Sequence, residues 1–329
     1  MGEKIEKELK WAVLGTGVIA NEMAQALEKM GKKLYAVANR THGKAVEFAK
    51  KYGVQKVYDK IEDMFTDEET DIIYITTPHN THIKFMIEAL KNEKHVLCEK
   101  SITLNSEELE EAVKIAKEKN LILGEAMTIF NMPLYTELSE IVNSGKLGDV
   151  RMIQVNFGSY KEYDMNNRFF NRNLAGGALL DIGVYAISIT RLFMTSKPDN
   201  VLSQVKYAPT GVDEQASIIM MNKEQQMSTI ALTLHSKQPK RVVIACEKAY
   251  IEITEYPRAD KAKIVYTETG EVEEITAGMT SNALQYELQN MEESVRTGIN
   301  KMKLEYTIDV MDIMTKLRKE WGMTYPEEE

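Results

Sequence analysis

Short apolar runs alternate with amphipathic segments along the first third of the chain. In these segments the apolar residues recur every three or four positions, as in a helix with one buried face, and Gly31 and Gly53 follow two of them, where a helix can end. Continuous apolar strands that alternate with helices are typical of a parallel sheet covered on both faces. We therefore predict a doubly wound α/β domain with strands at 11–14, 34–38, 72–76, 95–98 and 121–123.

After about residue 150 this alternation stops. The segments that follow have β-type composition, often with alternating apolar and polar residues, and turns rather than helices separate them, which predicts an antiparallel sheet. Helical periodicity returns at 178–194 and near the C-terminus, at 284–298 and 306–322. The second part is thus predicted to be α+β, with strands at 150–158, 201–209, 214–222, 227–236, 240–247, 249–256 and 261–275.

Length and charge agree with a two-domain globular protein. A chain of 329 residues has room for about two domains, and 43% apolar with 28% charged residues is an ordinary globular composition. The net charge of −9, with no block of lysines and arginines, argues against a nucleic-acid partner, because such a partner needs a continuous positive surface.

The N-terminus and the cysteines predict a cytoplasmic protein that does not bind membranes. The first ten residues are charged and lack the apolar core of a signal peptide, and the apolar runs are too short to span a bilayer. Cys98 and Cys246 are too few for a disulfide framework and lack metal-ligand spacing, so both are expected to be reduced. Cys98 adjoins a candidate site, but a core cysteine is the more common case than a nucleophile.

A glycine motif follows the first strand and opens the first helix. In this context, as opposed to the isolated pattern, the first glycine makes the tight turn, the second lets a pyrophosphate approach the backbone, and alanine in the third place permits close packing. The amides of the helix N-terminus then face the phosphates. The alternative is a glycine-rich turn without a ligand. The predicted dinucleotide contacts are Gly15, Thr16, Gly17, Val18 and Ile19.

The end of the second strand favours NADP(H) over NAD(H). An acidic residue there would bind the adenosine ribose and repel a 2'-phosphate, but the chain has Asn39 and Arg40, with Lys44 one turn later. Arg40 can pair with a phosphate or stack on adenine. The alternative is that Arg40 is a solvated surface charge, which keeps NAD(H) as the second choice of cofactor.

Two further loops follow the strands at 72–76 and 95–98. Ligands bind beyond the carboxyl ends of parallel strands, so both loops are predicted to face the nicotinamide. His79 and His82 have a spacing that suits a metal, but no Cys, Asp or Glu joins them locally, and we predict no metal. Packing or capping at a helix start is the ordinary role for His82. The predicted cofactor contacts here are Thr77, Pro78, Asn80, His82, Glu99 and Lys100.

Asp181 and Tyr185 form a third candidate site, distant in sequence. If 178–194 is helical, the two side chains are four residues apart and share one face. A carboxylate and a phenol on one stripe can hold a substrate hydroxyl between them. Equally, Asp near a helix start is often a cap and Tyr is often part of a core.

Taken together, these motifs resemble the Gfo/Idh/MocA family of glucose-fructose oxidoreductase-like and dihydrodiol dehydrogenase-like enzymes. In this chain the segments GTGVIA, TPHNTH, KHVLCEK and GGALLDIGVY follow one another in the family's order. The likeness extends from about Leu9 to Pro326. The resemblance implies a Rossmann domain at 1–125 that binds the nicotinamide cofactor. It also implies a substrate-binding domain at 126–329, whose open, mainly antiparallel sheet builds a homodimer or homotetramer.

The resemblance also assigns the catalytic residues. Lys100 matches the catalytic lysine, and Asp181 and Tyr185 match the second motif. Ser101 stands where the family usually has proline, which removes a fixed φ and adds a hydroxyl near the cofactor. Segment 127–133 lacks an arginine that many members have, so their sugar contacts do not transfer.

The predicted activity is hydride transfer between NADP(H) and a hydroxyl or carbonyl carbon of a sugar, polyol or dihydrodiol. In this hypothesis Tyr185 carries the proton, with its pKa lowered by Lys100, and Asp181 orients the substrate or balances the lysine. One alternative is a non-catalytic sensor or regulator on the same scaffold. The other is a glycosidase-like enzyme that uses NAD to oxidise and eliminate.

Overall fold

Two sheets organise the protein in a computed structural model that describes residues 8–329. The first seven residues, with most of the charged N-terminal stretch, lie outside the described part. The first sheet has six parallel strands in the order β3-β2-β1-β4-β5-β6. Its strands are β1 (Trp11–Leu14), β2 (Ala36–Ala38), β3 (Lys56–Val57), β4 (Ile72–Ile75), β5 (His95–Glu99) and β6 (Leu123–Ala126).

Helices cover both faces of this sheet and confirm the predicted doubly wound domain. The predicted helices are present, but the prediction omitted β3 and α3 and placed the last strand two residues early. β3 has only two residues, neither of them buried, so no apolar run marks it. The helices are α1 (Val18–Lys29), α2 (His42–Tyr52), α3 (Ile61–Thr66), α4 (His82–Lys91) and α5 (Ser106–Glu118).

The second sheet has eight strands in the order β14-β13-β12-β11-β7-β10-β9-β8. Its pairs are antiparallel except for β7 with β10, which confirms a mainly antiparallel sheet. The strands are β7 (Val150–Gly158), β8 (Asn200–Tyr207), β9 (Asp213–Met221), β10 (Met227–Thr233), β11 (Gln238–Cys246), β12 (Ala249–Thr254), β13 (Lys261–Tyr266) and β14 (Val272–Thr276).

The remaining helices connect the two sheets and cover one face of the second. The predicted helix at 178–194 begins with a π-helical turn, Leu179–Gly183, before α8. These helices are α6 (Thr128–Asn131), α7 (Pro133–Asn143), α8 (Val184–Phe193), α9 (Ala283–Thr297) and α10 (Leu304–Glu320), with short 3-10 turns that include His79–Thr81, Arg172–Leu174 and Tyr256–Arg258.

The C-terminal helices return to the parallel sheet. Leu288 and Met291 of α9 share a core cluster with β1 and α1, and the Trp11 indole donates a 3.0 Å hydrogen bond to Glu292. β6 ends at Ala126, and α6 follows it at once. The two parts are therefore packed together, and the division at 125/126 stays a prediction.

One helical segment is long and apolar, although we predicted no membrane span. Within the described residues, the segment Arg172–Phe193 is long and apolar enough to cross a bilayer by length and composition alone. However, 78% of its most apolar stretch of 18 residues is buried inside the protein. Burial in the protein core accounts for this composition.

Both cysteines are unpaired, and their environments differ. Cys98 is fully buried at the end of β5, as a core cysteine should be, and burial raises the pKa of its thiol well above the ordinary value. Cys246 is half-buried. Because burial keeps the Cys98 thiol neutral, Cys98 is a poor nucleophile. The cytoplasmic location stays a prediction.

Candidate active site

The turn between β1 and α1 has the shape that a dinucleotide pyrophosphate requires. Gly15 has φ of +114°, and a Cβ there would lie 2.4 Å from Thr76 Oγ1, so only glycine fits. A Cβ on Gly17 would meet no atom within 4 Å and would face the solvent at the helix N-terminus. No side chain caps α1 and no acidic residue lies in its first turn. The free amides and the helix dipole therefore suit an anion.

Side-chain positions around this turn fit the same ligand. Val18 is 79% exposed despite its apolar side chain, whereas Ala20 is fully buried and lets α1 approach the sheet. The Asn39 amide donates a 2.6 Å hydrogen bond to Thr16 Oγ1 and joins the turn to the end of β2.

Arg40 and Lys44 lie on the rim beside this turn. Both are exposed, and among residues 8–329 neither side chain has an acidic partner. The arrangement provides two cations where the adenosine ribose of a dinucleotide would lie, and segment 39–44 contains no carboxylate.

Lys100 lies at the carboxyl end of β5 and contacts the second domain directly. Its Nζ donates hydrogen bonds to Asp181 O at 2.7 Å and Oδ1 at 3.4 Å, and it lies 5.0 Å from the centre of the Tyr185 ring. The structure thus brings together three residues that are 81 and 4 positions apart in the chain. Lys100 and Asp181 side chains are each 14% exposed, so their charges face a nearly dry site.

The charges of this pair support each other. Burial opposes the Lys100 ammonium, but the attraction of Tyr185 once it is ionised at high pH, and of the Asp181 carboxylate, outweighs it and raises the pKa of Lys100. Burial likewise opposes the Asp181 carboxylate, but Lys100 and then Arg168 hold its pKa below the usual value. Both groups are therefore charged at neutral pH.

The expectation of a lowered Tyr185 pKa is wrong. The Lys100 ammonium does lower it, but burial of the phenol is the larger effect, so the pKa of Tyr185 is raised above the usual 10.0. The ring packs against Phe157, with centroids 6.0 Å apart. Its hydroxyl has no hydrogen-bond partner among the described residues. Tyr185 therefore presents a neutral, available O–H at neutral pH.

Several groups hold the Lys100 turn in place. Ser101 is buried and donates a 3.0 Å hydrogen bond to Leu180 O; the Lys100–Ser101 peptide is cis. The backbone amide of Ile102 donates to Glu125 Oε1 at 3.1 Å. The Ser101 hydroxyl binds the π-helical turn that carries Asp181, and its place near the cofactor stays a prediction.

His82 supports the turn that carries Lys100. The side chain is fully buried, with Nδ1 3.0 Å from Ser101 O and Nε2 2.7 Å from Thr77 O. Both ring nitrogens face backbone carbonyls, which confirms packing at the helix start, and the cofactor contact of His82 stays a prediction. Within residues 8–329, no group of three or more His, Cys, Asp or Glu is arranged to hold a metal.

The other predicted loop residues lie beside Lys100. Glu99 accepts a hydrogen bond from the Tyr74 hydroxyl, and burial raises the pKa of its carboxyl. Thr77 Oγ1 accepts from Thr81 at 2.8 Å, and Pro78 immediately precedes the 3-10 turn. The Asn80 amide donates to Asn173 O at 3.4 Å and Glu327 at 2.5 Å, so it joins the two domains. Their contacts with cofactor stay predictions.

Three residues near Lys100 were not predicted to act in the reaction. His79 was considered only as a metal ligand; its Nε2 lies 3.1 Å from Lys100 O, and burial followed by the Lys100 charge lowers the pKa of its imidazole. Lys161 and Arg168 belong to the loop after β7, and their charges act on Asp181. Two cations in one loop shortly before the GGALLDIG motif were the only available signal.

The two-domain fold, the open glycine turn and the Lys100 cluster are those of a dinucleotide-dependent oxidoreductase. Residues 9–127 match the family model for the oxidoreductase family with an NAD-binding Rossmann fold, and residues 135–252 match the GFO/IDH/MocA C-terminal domain. The chain belongs to the Gfo/Idh/MocA oxidoreductase family, as the sequence motifs predicted.

Similar proteins cover nearly the whole chain. The trans-1,2-dihydrobenzene-1,2-diol dehydrogenase of Xenopus laevis is 30% identical over 96% of this chain and 99% of its own length. The mouse (Mus musculus) enzyme of the same name is 27% identical over 97% of this chain and 99% of its own. These relatives span both domains.

Solved structures share the fold at lower identity. A 3-ketoreductase from Actinomadura kijaniata, in complex with NADP and TDP-benzene, superimposes with a TM-score of 0.85 at 18% identity, covering 95% of this chain and 98% of its own. Levoglucosan dehydrogenase in complex with NADH has a TM-score of 0.85 at 15% identity, covering 96% and 97%. Both confirm the two-domain architecture.

Proposed function

We propose that the protein transfers a hydride reversibly between NADP(H) and a hydroxyl or carbonyl carbon of a small polyhydroxylated substrate. The observation that carries this proposal is the contact of Lys100 with both Asp181 and Tyr185 at the carboxyl edge of the parallel sheet. The names of the relatives, which are dehydrogenases of a dihydrodiol, support a secondary hydroxyl as the reacting group.

The nicotinamide supplies or accepts the hydride when the cofactor is bound. Residues 15–19 would hold its pyrophosphate on the amides of α1. Lys100 has three N–H donors, of which two bind Asp181. Its third N–H is free to bind the substrate oxygen, where it stabilises the negative charge that develops as the carbonyl is reduced.

Tyr185 then handles the proton. Because burial keeps the phenol protonated at neutral pH, Tyr185 is a general acid in the direction of carbonyl reduction and gives its proton to the substrate oxygen. In the direction of oxidation the step runs in reverse: Tyr185 first loses its proton to solvent, and its phenolate then accepts the proton of the substrate hydroxyl. The nearby Lys100 ammonium stabilises the transient phenolate, since Lys100 Nζ lies 5.0 Å from the centre of the Tyr185 ring.

Two substitutions test this assignment. Lys100→Met and Tyr185→Phe should each lower kcat by about 10²- to 10⁴-fold, the usual contribution of such groups, while NADPH still binds. Lys91→Met, on the exposed end of α4, is a matched control. The assay follows absorbance of the reduced cofactor across sugars, polyols, dihydrodiols and dicarbonyls. Near-full activity of Lys100→Met would end the assignment, and NADPH binding without turnover on the panel would favour a sensor.

The preference for NADP(H) rests on Arg40 and Lys44. Both are exposed cations without an acidic partner in the described chain, so a 2'-phosphate would gain charge-assisted hydrogen bonds there. Fluorescence titration should show tighter binding of NADPH than of NADH. Arg40→Ser should weaken NADPH about tenfold or more and leave NADH nearly unchanged. Equal losses for both nucleotides would contradict the proposal.

We also propose a homodimer or homotetramer formed through the open face of the second sheet. Leu202 and Ile219 are paired neighbours on β8 and β9 and are 62% and 44% exposed. Tyr250 on β12 is 38% exposed. Apolar side chains on one sheet face are typical of an interface. Sedimentation should show an oligomer that Ile219→Asp dissociates, and a monomeric wild type would refute this point.

A further inference from the structure

The loop after β7 carries two cations on one aromatic ring. Lys161 Nζ lies 4.1 Å from the centre of the Phe169 ring, and Arg168 Cζ lies 4.5 Å from the same centre. Phe169 is half-buried and packs against the main core, so the ring is a fixed support. Two positive charges are thus held close together, although they repel each other.

The backbone of this loop is packed against the segment that leads to Asp181. Gly177 N donates a 3.0 Å hydrogen bond to Phe169 O. A Cβ on Gly176 would lie 2.8 Å from Arg168 O, so glycine is needed for this approach. At the other end of the loop, Lys161 N donates to Leu234 O at 2.8 Å. The two cations therefore have a defined place beside the Lys100 cluster.

The electrostatic effects agree with this placement. Lys100 and then Arg168 lower the pKa of Asp181, and Lys161 contributes in the same direction. Burial is the main cause of the lowered pKa of Lys161 itself; the Asp181 charge opposes this shift, and Arg168, Lys100 and Lys240 lower the pKa further. All of these charges therefore act on one region of the cleft.

The positive charge of this region is not balanced by the protein. Lys100 is paired with Asp181, and Lys240 is paired with Glu255 at 2.9 Å. In the described part of the chain, neither Lys161 nor Arg168 has a hydrogen-bond acceptor or an acidic partner. The acidic residues of the same loop do not compensate: Asp164 accepts from the backbone of Asn166 at 2.9 Å, and Glu162 is exposed and forms no ion pair with either cation.

We propose that the substrate carries an anionic group, a carboxylate or a phosphate, which Lys161 and Arg168 bind while its hydroxyl-bearing carbon lies against Lys100 and Tyr185. This inference rests on the proposed function. The guanidinium of Arg168 can bind two oxygens of either anion side by side, and the Lys161 ammonium adds a third donor. A neutral diol would leave both cations unpaired.

Matched substrates test the inference. Initial rates with NADP are measured for a neutral sugar, its uronic acid and its phosphate ester, and for the corresponding polyols, at low and high salt. An anionic member should have a kcat/KM about 10- to 100-fold above its neutral counterpart, the value of one charge-assisted hydrogen bond, and high salt should reduce this advantage. The uronic acid and the phosphate ester distinguish the two anions.

Substitutions separate the anion contact from other effects. Arg168→Met and Lys161→Met keep an apolar stem on Phe169 and should raise KM for the anionic substrate about tenfold or more, with little change for the neutral one. Arg168→Lys should restore part of the affinity. Arg151→Gln removes the same charge at the far end of β7, where Arg151 pairs with Glu247, and should change neither.

A binding measurement separates this inference from the proposed function. Isothermal titration of the NADP-loaded protein with uronic acid and neutral sugar requires no turnover. Binding of the acid that Arg168→Met abolishes supports the inference even if no hydride is transferred. If hydride transfer is observed but neutral and anionic substrates react equally in wild type and Arg168→Met, the inference is overturned and the proposed function stands. If the wild type does not bind the uronic acid and does not differ from Arg168→Met, the inference is also overturned.

Discussion

Glu125 makes the stability of the protein depend on pH near neutrality. The residue lies on β6 and is 1% exposed, and it accepts hydrogen bonds from Ile102 N at 3.1 Å and Thr307 Oγ1 at 3.0 Å. Burial raises the pKa of its carboxyl from 4.5 to about 7, and the Glu99 charge adds to this increase. The two hydrogen bonds and the Lys100 charge lower the pKa, but by less than burial raises it. The folded protein therefore keeps this proton at pH values where the unfolded chain releases it.

The sign and size of the effect follow from this difference. The stabilisation is fully present below the unfolded pKa of 4.5 and is lost as pH rises through the folded value of about 7. At about 1.4 kcal/mol per unit of pKa, the loss is about 3 kcal/mol across this range. Above about pH 7 the charged carboxylate remains buried beside Ile102 N and the Lys100 turn.

Glu125→Gln should remove this pH dependence. The amide oxygen can accept from Ile102 N, and the amide nitrogen can donate to the Thr307 hydroxyl, so both hydrogen bonds persist without a titrating group. Urea unfolding followed by circular dichroism should give nearly equal stability for the two proteins at about pH 4.5. At about pH 8 the variant should be more stable by up to about 3 kcal/mol.

The comparison needs a control because other carboxyls titrate as well. Burial also raises the pKa of Asp213 to about 7, but that contribution is common to both proteins and cancels in the difference. Glu118→Gln, at the exposed end of α5, removes the same charge from the surface. If the stability difference between Glu125→Gln and wild type were constant from about pH 4.5 to about pH 8, the reasoning on Glu125 would be refuted.

Three further predictions concern the site. The rate of carbonyl reduction should stay constant through neutral pH and fall only above the usual phenol pKa of 10.0, because burial raises the pKa of Tyr185; a fall centred near neutrality would contradict this. Gly17→Ala should keep the thermal midpoint, since its Cβ meets only solvent, and should weaken NADPH binding. Gly15→Ala should lower the midpoint because its Cβ would lie 2.4 Å from a threonine oxygen; equal midpoints for the two variants would refute the distinction. Ser101→Ala should cost about 1 kcal/mol in urea unfolding through the lost bond to Leu180 O, and an unchanged stability would show that the bond contributes nothing.

Local patterns predicted most of the fold. The strand expected at 150–158 coincides with β7, because a half-buried strand shows its two faces directly as alternation. The helix expected at 284–298 lies at Ala283–Thr297. A half-buried helix likewise shows its buried face directly, as apolar residues at helical spacing. The π-helical start of the 178–194 segment and the parallel pairing of β7 with β10 were not predicted, since neither changes the hydrophobic pattern.

The candidate site was predictable only where a motif carries it. Lys100, Asp181 and Tyr185 come together as the family motifs implied, but the direction of the Tyr185 pKa was wrong because burial depends on distant packing. Lys161 and Arg168 escaped notice for a related reason. Their place beside Asp181 comes from the approach of their loop to two glycines, and no periodicity in sequence encodes such a contact.

The turn that holds Lys100 is fixed from both domains, and Ser101 is part of that connection. From the parallel sheet, Glu125 accepts a hydrogen bond from the backbone amide of Ile102, and His82 faces the Ser101 carbonyl. From the second domain, Leu180 accepts the Ser101 hydroxyl and Asp181 accepts the Lys100 ammonium. Proline would restrict φ within the turn alone, whereas serine ties the turn to the segment that carries Asp181. The position of Lys100 in this chain therefore depends on how closely the two domains are packed.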